Sequence, residues 1–329
     1  MNKRILIWIL SYGILTVFPF LIPLFITGPY VTHILILTVM NIILASSLRL
    51  INLSGQLSLA HGGMMTIGAY TSTLLVVKLG LSSWVALLLA GLLAAVIAGL
   101  VGFPFVRLKG IYFAIVTIFL TAMVTLMAQQ WRSLTSGSYG IYNIPRPDPI
   151  VIPGILNITF TSSVNCYYLV LVIMLVSLIM LYATEHSRIG LTFRGIQQSD
   201  SLAESVGVNT AGLKVLAFSI GCFFAGITGG FYSQYIMAIA PDTFGFLFTV
   251  YILIYMTVGG SGKFIGPILG AFILTILPEV MRPLKQFQPF FFAGVLMLVI
   301  FLMPEGIVGL PGRLKTIAGR LFKEQQERA

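Results

Sequence analysis

Long apolar stretches alternate with short polar ones along almost the whole chain. About ten apolar segments can be drawn, and most approach the roughly 20 residues that a helix needs to cross a bilayer. They cover residues 5–26, 31–48, 64–77, 82–106, 111–129, 166–183, 215–239, 244–257, 264–277 and 287–303. The pattern predicts an all-α polytopic membrane protein with a single transmembrane domain over residues 1–329.

Two glycine-rich stretches interrupt this pattern beside its shortest segments. The first glycine-rich stretch is SGQLSLAHGG at residues 54–63, and the second is VGGSGKFIGP at residues 258–267. Segments 64–77, 244–257 and 264–277 are too short to span as plain helices, and short glycine-interrupted segments indicate broken helices around a transport path. We expect both stretches to face the interior, because irregular backbone at membrane depth is tolerated only against protein or a water-filled cavity.

Polar side chains of the first stretch would offer neutral hydrogen bonds to a passing zwitterion or small polar solute. The predicted residues of the translocation path are Gln56, Ser58, His61, Gly62, Gly63, Gly259, Gly260 and Ser261. The alternative is close helix packing through small residues, which is common in membranes and accounts for the same glycines. The pattern leaves both interpretations open.

One short polar stretch, QQSDSLAESVG at residues 197–207, does not fit its apolar surroundings. It predicts a short helix that ends at Gly207. Its thin apolar edge consists of Leu202, Ala203 and Val206. Such a helix between two spans is suited to docking into a groove on a separate ATPase. An ordinary polar loop fits the same pattern, and the spacing alone favours that simpler interpretation.

Composition and charge support a membrane location. The chain is 58% hydrophobic and only 9% charged, with a mean hydropathy of +1.01, which is more apolar surface than a soluble domain could bury. Its net charge of +10 would suit nucleic acid, but Lys and Arg also mark cytoplasmic loops. With the N-terminus and residues 197–207 placed inside, fourteen of the 19 Lys and Arg residues are cytoplasmic and five are external. This split predicts two cytoplasmic termini, an external loop at 131–164 and a basic cytoplasmic tail at 304–329, with membrane lipid rather than nucleic acid as the partner of the basic chain.

The chemistry-bearing residues exclude most enzymes. The three histidines are scattered, and the acids gather near segment ends rather than in pairs, so we expect no catalytic residue, no metal site and little basis for proton coupling. The sequence GGSGKF at residues 259–264 lacks the first glycine and the final hydroxyl of a phosphate-binding loop, since Thr257 and Phe264 stand there. Cys166 and Cys222 are interpreted as small hydrophobic residues. With these classes excluded, we expect a protein that forms a transport path, has no cofactor of its own and receives its energy from another protein.

Six stretches in order identify a family. They are LSLAHGGMMTIGAYTS (57–72), RLKGIYFAIVTI (107–118), SLTSGSYGIYNIPRP (133–147), SDSLAESVGVNTAGLKVLAF (199–218), APDTFGF (240–246) and VGGSGKFIGPILGA (258–271). Along most of its length the chain resembles the branched-chain amino-acid ABC transporter permeases of the LivM type. The resemblance reverses the preference at residues 197–207, because in such permeases the matching segment is the cytoplasmic loop that couples to the ATPase.

The resemblance implies a heteromeric importer in the bacterial inner membrane. Two related permeases form the path, ATP-binding subunits below them use the ATP, and a periplasmic solute-binding protein delivers leucine, isoleucine, valine or a related solute. Residues 185–212 would be the coupling loop, with the ATPase contacts at Ser201, Leu202, Ala203, Glu204, Val206 and Gly207. The alternative function is a secondary transporter or channel that works alone on a small polar solute.

The chain departs from the family pattern in two places. The importer pattern begins Glu-Ala-Ala with a glycine six residues after the Glu, and here Gly207 fits while Ser201 and Leu202 stand at the Glu and first Ala positions. In the external loop, Ser136 and Tyr139 occupy positions where family members often carry Gly and Asp. The acidic contact to the ATPase and the solute preference therefore do not carry over directly.

Overall fold

The computed structural model of the protein describes residues 28–108, 110–152, 156–287 and 306–309, with a few isolated positions between 290 and 301. The segment expected at 5–26, most of the segment expected at 287–303 and nearly all of the basic tail lie outside the described residues. The helices are α1 (Pro29–Asn52), α2 (His61–Leu79), α3 (Ser83–Phe105), α4 (Ile111–Gln130), α5 (Arg132–Thr135), α6 (Ser163–His186), α7 (Arg188–Gln198), α8 (Asp200–Ser205), α9 (Thr210–Ile236), α10 (Phe246–Gly259) and α11 (Ile265–Val280).

Short elements join some of these helices. Strand β1 (Ile141–Tyr142) pairs antiparallel with β4 (Ala238–Ile239), and β2 (Ile150–Ile152) pairs with β3 (Leu156–Ile158). Short 3₁₀ segments lie at Gly137–Tyr139, Pro241–Phe244, Arg282–Phe287 and Ile307–Gly309. The pairing of β1 with β4 ties the 131–164 region to the segment that follows α9.

Six helical segments of the described chain are long and apolar enough to cross a membrane. They are Pro29–Asn52, Ser83–Phe105, Ile111–Gln130, Ser163–His186, Thr210–Ile236 and Pro241–Gly259, and α11 is a shorter apolar helix. The prediction of an all-α polytopic membrane protein is confirmed. Helix α2 has 19 residues and is longer than the apolar segment 64–77, because His61, Gly62 and Gly63 are helical although they are not strongly apolar.

Local sequence explains where several helices begin and end. The side chains of Ser162, Ser187, Ser199 and Asn209 accept hydrogen bonds from backbone N–H groups in the first turns of α6, α7, α8 and α9. These residues are favoured helix caps because they satisfy donors that have no partner within the helix. Helix α2 ends at Gly80, whose φ of 62° is in the left-handed region.

The core is built around α9, which packs against α1, α2 and α3. Helix α3 meets it with a ridge of small residues at every fourth position, which are Ala86, Ala90, Ala94 and Ala98, all fully buried. A methyl group added to Gly226 of α9 would lie 2.6 Å from the Cβ of Ala94 and 2.8 Å from the carbonyl oxygen of Ala90. Small residues allow this approach of backbones, which drives association in lipid where there is no hydrophobic force between helices.

The described helices place two sets of connections at opposite ends of the bundle. Helix α6 has 24 residues and is therefore about 36 Å long. The 131–164 region precedes it, whereas α7 and α8 follow it together with the first glycine-rich stretch, which lies against α7. The second stretch is at the same end, since Arg49 of α1 contacts it.

Candidate coupling segment and translocation path

Helix α7 covers the end of the bundle because its sequence is amphipathic. Gly190, Phe193 and Ile196 are buried at spacings of three residues, which brings them to one face, while Arg194 and Gln197 are exposed. A single residue, Ser199, separates α7 from α8 and caps the latter by accepting a hydrogen bond from the backbone nitrogen of Leu202 at 3.3 Å. The coupling segment proposed from the sequence is thus two short helices in direct succession.

Helix α8 presents apolar side chains to solvent. Leu202 is 70% exposed, Val206 is 77% exposed, and Ala203 between them is half-buried. Gly207 follows with a φ of 84°, and its backbone nitrogen donates to the carbonyl oxygen of Glu204 at 2.9 Å. A residue with a side chain would be strained in this left-handed conformation, so glycine is what lets the chain turn back toward α9.

The polar side chains of this segment bond within the chain. Asp200 forms an ion pair with Lys214 of α9 at 2.7 Å, and Glu204 accepts a hydrogen bond from the hydroxyl of Thr210 at 2.7 Å. The Ser201 hydroxyl lies 3.1 Å from that of Ser199. These bonds fix α8 onto the start of α9 and leave its apolar edge as the exposed feature.

The first glycine-rich stretch is an irregular segment inside the protein. Ser58 and His61 are fully buried, and Gln56 is nearly so. Both polar backbone groups of Leu59 are satisfied by hydroxyls of α4 at 2.9 Å each, since the nitrogen donates to Thr117 and the oxygen accepts from Thr121. Irregular backbone is therefore stable here because neighbouring side chains replace the helical hydrogen bonds.

Two polar atoms of the first stretch have no hydrogen-bond partner among the described residues. His61 uses Nε2 with the hydroxyl of Ser47 at 3.0 Å, but its Nδ1 has none, and neither has the amide nitrogen of Gln56. Almost all buried polar groups in proteins are paired, so each exception requires a physical reason.

The glycines that follow are packed against neighbouring backbone. A methyl group on Gly62 would lie 2.3 Å from the carbonyl oxygen of Phe244, and one on Gly63 would lie 2.9 Å from the Cα of Thr121. The backbone nitrogen of Gly62 also donates to the hydroxyl of Thr249 at 3.1 Å. The start of α2 is thus wedged between α4 and α10.

The second glycine-rich stretch is a tight turn between α10 and α11. A methyl group on Gly259 would lie 2.0 Å from the carbonyl oxygen of Gly266, and one on Gly266 would lie 1.8 Å from that of Gly260. Gly260 has a φ of 105°, whereas Gly262 is exposed with nothing within 4 Å of an added methyl group. In this conformation the second stretch lets α10 and α11 pack closely against each other. It also brings the backbone of Ser261 to α1.

A buried ion-pair cluster beside this turn was missed in the sequence. Arg49 of α1 (2% exposed) and Glu185 of α6 (3% exposed) form two parallel bonds, one of them at 2.9 Å between Nη2 and Oε1. Arg49 Nε also donates to the carbonyl oxygen of Ser261 at 2.8 Å, and Arg194 of α7 contacts the same Glu185 oxygen at 2.6 Å. The only sequence signal was a charge of each sign directly beside predicted membrane segments.

These features define a class of protein: a polytopic α-helical membrane protein with buried irregular backbone between its helices. The description "Branched-chain amino acid transport system / permease component" matches residues 30–304, and the chain belongs to this family. It is therefore a transport permease and not itself an enzyme.

Curated relatives agree with this assignment. The chain is 29% identical over 308 residues to the high-affinity branched-chain amino acid transport system permease protein LivM of Salmonella typhimurium, covering 88% of this chain and 72% of that one. It is 28% identical over 290 residues to LivM of Escherichia coli, covering 83% and 68%. LivH of Salmonella typhimurium is 25% identical over 279 residues, covering 78% and 87%. No solved structure matches the chain significantly.

Proposed function

We propose that this chain is a permease subunit of an ATP-binding-cassette importer that forms the translocation path for branched-chain or related amino acids. ATP is used by separate ATP-binding subunits, a second homologous permease completes the path, and a periplasmic solute-binding protein delivers the solute. The chain itself needs no cofactor. The names of its relatives support the solute class.

The observation that carries the coupling part of this proposal is the exposed apolar edge of α8. Leu202 and Val206 are exposed and lie outside the helices that are long and apolar enough to span a membrane, and exposed apolar patches of this kind mark interaction sites. With Ala203 they are the side chains that enter a groove on the ATPase. Ser201 and Glu204 flank them, but Glu204 is engaged by Thr210, so docking relies on apolar burial rather than on an acidic contact.

The orientation follows from placing α8 in the cytoplasm. Both termini are then cytoplasmic in a protein of about ten membrane segments in the bacterial inner membrane, in line with the fourteen-to-five distribution of Lys and Arg. Residues 185–212 form the coupling loop, residues 304–329 the basic tail, and residues 131–164 face the periplasm. Pairing of β1 with β4 supports an ordered external surface that meets the binding protein.

The translocation path passes the first glycine-rich stretch. The unpaired nitrogen atoms of Gln56 and His61, with the hydroxyl of Ser58, supply neutral polar groups in the protein interior. The close contacts of Gly62, Gly63, Gly259 and Gly260, and the bond to Ser261, hold the helices that flank the path in place. Weak, neutral contacts favour release of the solute, which transport requires.

The test is Ala203→Arg in the complete transporter, because it places an unpaired charge at the proposed contact. We expect ATP-binding subunits to be lost on purification and uptake to fall by at least about a hundredfold, since an unpaired buried charge costs about 3–5 kcal/mol. The control is Gly195→Arg, which adds the same charge to an exposed position on α7 with open space around it. Normal uptake by Ala203→Arg with the ATPase still bound would contradict the docking role.

A further inference from the structure

Helix α7 is linked to both glycine-rich stretches, directly to the first at Gly55 and indirectly to the second through the Arg49–Glu185 ion pair. We propose that α7 transmits the movement of α8 to both stretches, with Gln197 as the positioning residue for the first and Arg194 for the second. This inference rests on the proposed function, because it assumes that an ATPase moves α8.

The first contact joins the end of α7 to the start of the first stretch. The amide nitrogen of Gln197 donates to the carbonyl oxygen of Asn52 at 3.1 Å. A methyl group on Gly55 would lie 3.4 Å from the Cα of Gln197, so the two backbones are in contact without intervening side chains. Gly55 also has a φ of 78°, which lets the loop bend around this end of α7.

A small polar pocket that is partly open to solvent lies beside this contact. Its volume is about 170 Å³, and it is lined by Gly55 and Gln56 on one side and by Gln197, Ser199 and the Asp200–Lys214 pair on the other. Close-packed interiors resist displacement, whereas an open pocket lets one wall approach the other. Gln56 contributes to this wall and has a buried amide nitrogen without a partner, so movement of α7 toward the loop changes the surroundings of that amide.

The second contact runs through the buried ion-pair cluster. Arg194 bonds to Glu185, Glu185 bonds to Arg49, and Arg49 Nε bonds to the backbone of Ser261 in the second stretch. Each link is charge-assisted at one or both ends, and such bonds are shorter and stronger than neutral ones. A shift of Arg194 therefore changes the strength of the hydrogen bond between Arg49 and Ser261, through Glu185 of α6 and Arg49 of α1.

The two contacts move together because they belong to one turn of one helix. Arg194 and Gln197 are three residues apart and thus neighbours on the surface of α7. Phe193 and Ile196, on the buried face, keep α7 seated on the bundle. Since only Ser199 separates α7 from α8, a tilt of α8 reaches α7 directly and passes from there to both stretches.

The experiment measures uptake and ATP hydrolysis in the complete transporter with Arg194→Gln. Arg194 is 45% exposed, so its replacement does not open the core. We expect the ATP-binding subunits to remain bound and the solute imported per ATP hydrolysed to fall by at least about fivefold, the lower range of coupling effects. Arg194→Lys, which keeps the charge beside Glu185, should recover most of the ratio. Arg188→Gln is the matched control, because it makes the same change at an exposed position of α7 and should retain the wild-type ratio.

Gln197→Ala tests the other contact in the same assay, with Gly195→Ala as its control on α7. We expect a second, separate fall in the ratio for Gln197→Ala and none for Gly195→Ala. Wild-type ratios in both Arg194→Gln and Gln197→Ala would overturn the inference, while loss of uptake in Ala203→Arg would still support docking. Equal losses of uptake and hydrolysis, or loss of assembly, would also overturn it, because both indicate a purely structural role.

Discussion

The two glycine-rich stretches have similar compositions but are held in different ways. The first is buried, carries polar side chains into the interior and is fixed by neutral hydroxyls of α4 and α10. The second is a partly exposed turn whose glycines meet backbone to backbone and whose Ser261 is held by a buried guanidinium. Glycine thus accompanies buried polar side chains in the first stretch and close helix packing in the second. The two uses differ only in the residues that surround each stretch.

The largest expected effect comes from removing the charge that holds the second stretch. Arg49→Met leaves Glu185 buried with only the partly exposed Arg194 as partner, and we expect the free energy of unfolding to fall by about 3–5 kcal/mol. Thermal unfolding of the purified protein in detergent would measure this. The double variant Arg49→Met with Glu185→Met buries no uncompensated charge and should regain most of the loss. A single variant as stable as the wild type would show that the two stretches are not held differently.

A smaller effect is expected from one methyl group in the second stretch. Gly266→Ala forces the turn to open, because the new carbon would lie 1.8 Å from a backbone oxygen that cannot rotate away. We expect a loss of about 1–3 kcal/mol in the same unfolding measurement. Gly262→Ala lies in the same turn with open space around it and should cost almost nothing. Equal stability of the two variants would argue against backbone packing as the reason for glycine.

The smallest effect on stability, with a separate effect on transport, is expected in the first stretch. Gln56→Leu removes a buried amide whose nitrogen has no partner, so stability should stay within about 1 kcal/mol of the wild type. Uptake should fall, because the path loses a polar group. Gln198→Leu makes the same replacement at an exposed position on α7 and should import normally. Wild-type uptake by an assembled Gln56→Leu transporter would make the first stretch a packing device like the second.

Hydrophobic patterning predicted most of the helices but not what lies between them. Apolar segments at 31–48, 82–106, 111–129 and 166–183 correspond to α1, α3, α4 and α6 within a few residues, since each long apolar run must be helical in lipid. The end of α9 differed, because Met237 adopts a φ of 60° and residues 238–239 pair with β1. That pairing depends on a partner almost a hundred residues away in the chain.

In the candidate site, too, local features could be predicted from the sequence and contacts between distant residues could not. The sequence predicted one short helix over residues 197–207 that stops at Gly207, but its division at Ser199 into the end of α7 and the whole of α8 was not predicted. The Arg49–Glu185 pair was not predicted either, since its members are 136 residues apart and each looked like an ordinary charge at a segment end. The four-residue spacing of the buried alanines in α3 was present in the sequence, but without α9 nothing indicated which face it would cover.

The exposed edge of α8 also affects the life of the protein before assembly. Leu202 and Val206 are exposed on the chain alone, and exposed apolar groups attract chaperones and promote aggregation. Under the proposed docking, this edge stays exposed on a newly inserted chain until an ATP-binding subunit covers it. Cells that make this chain in excess of its partners should degrade the surplus, so the abundance of the transporter would be set by its scarcest component.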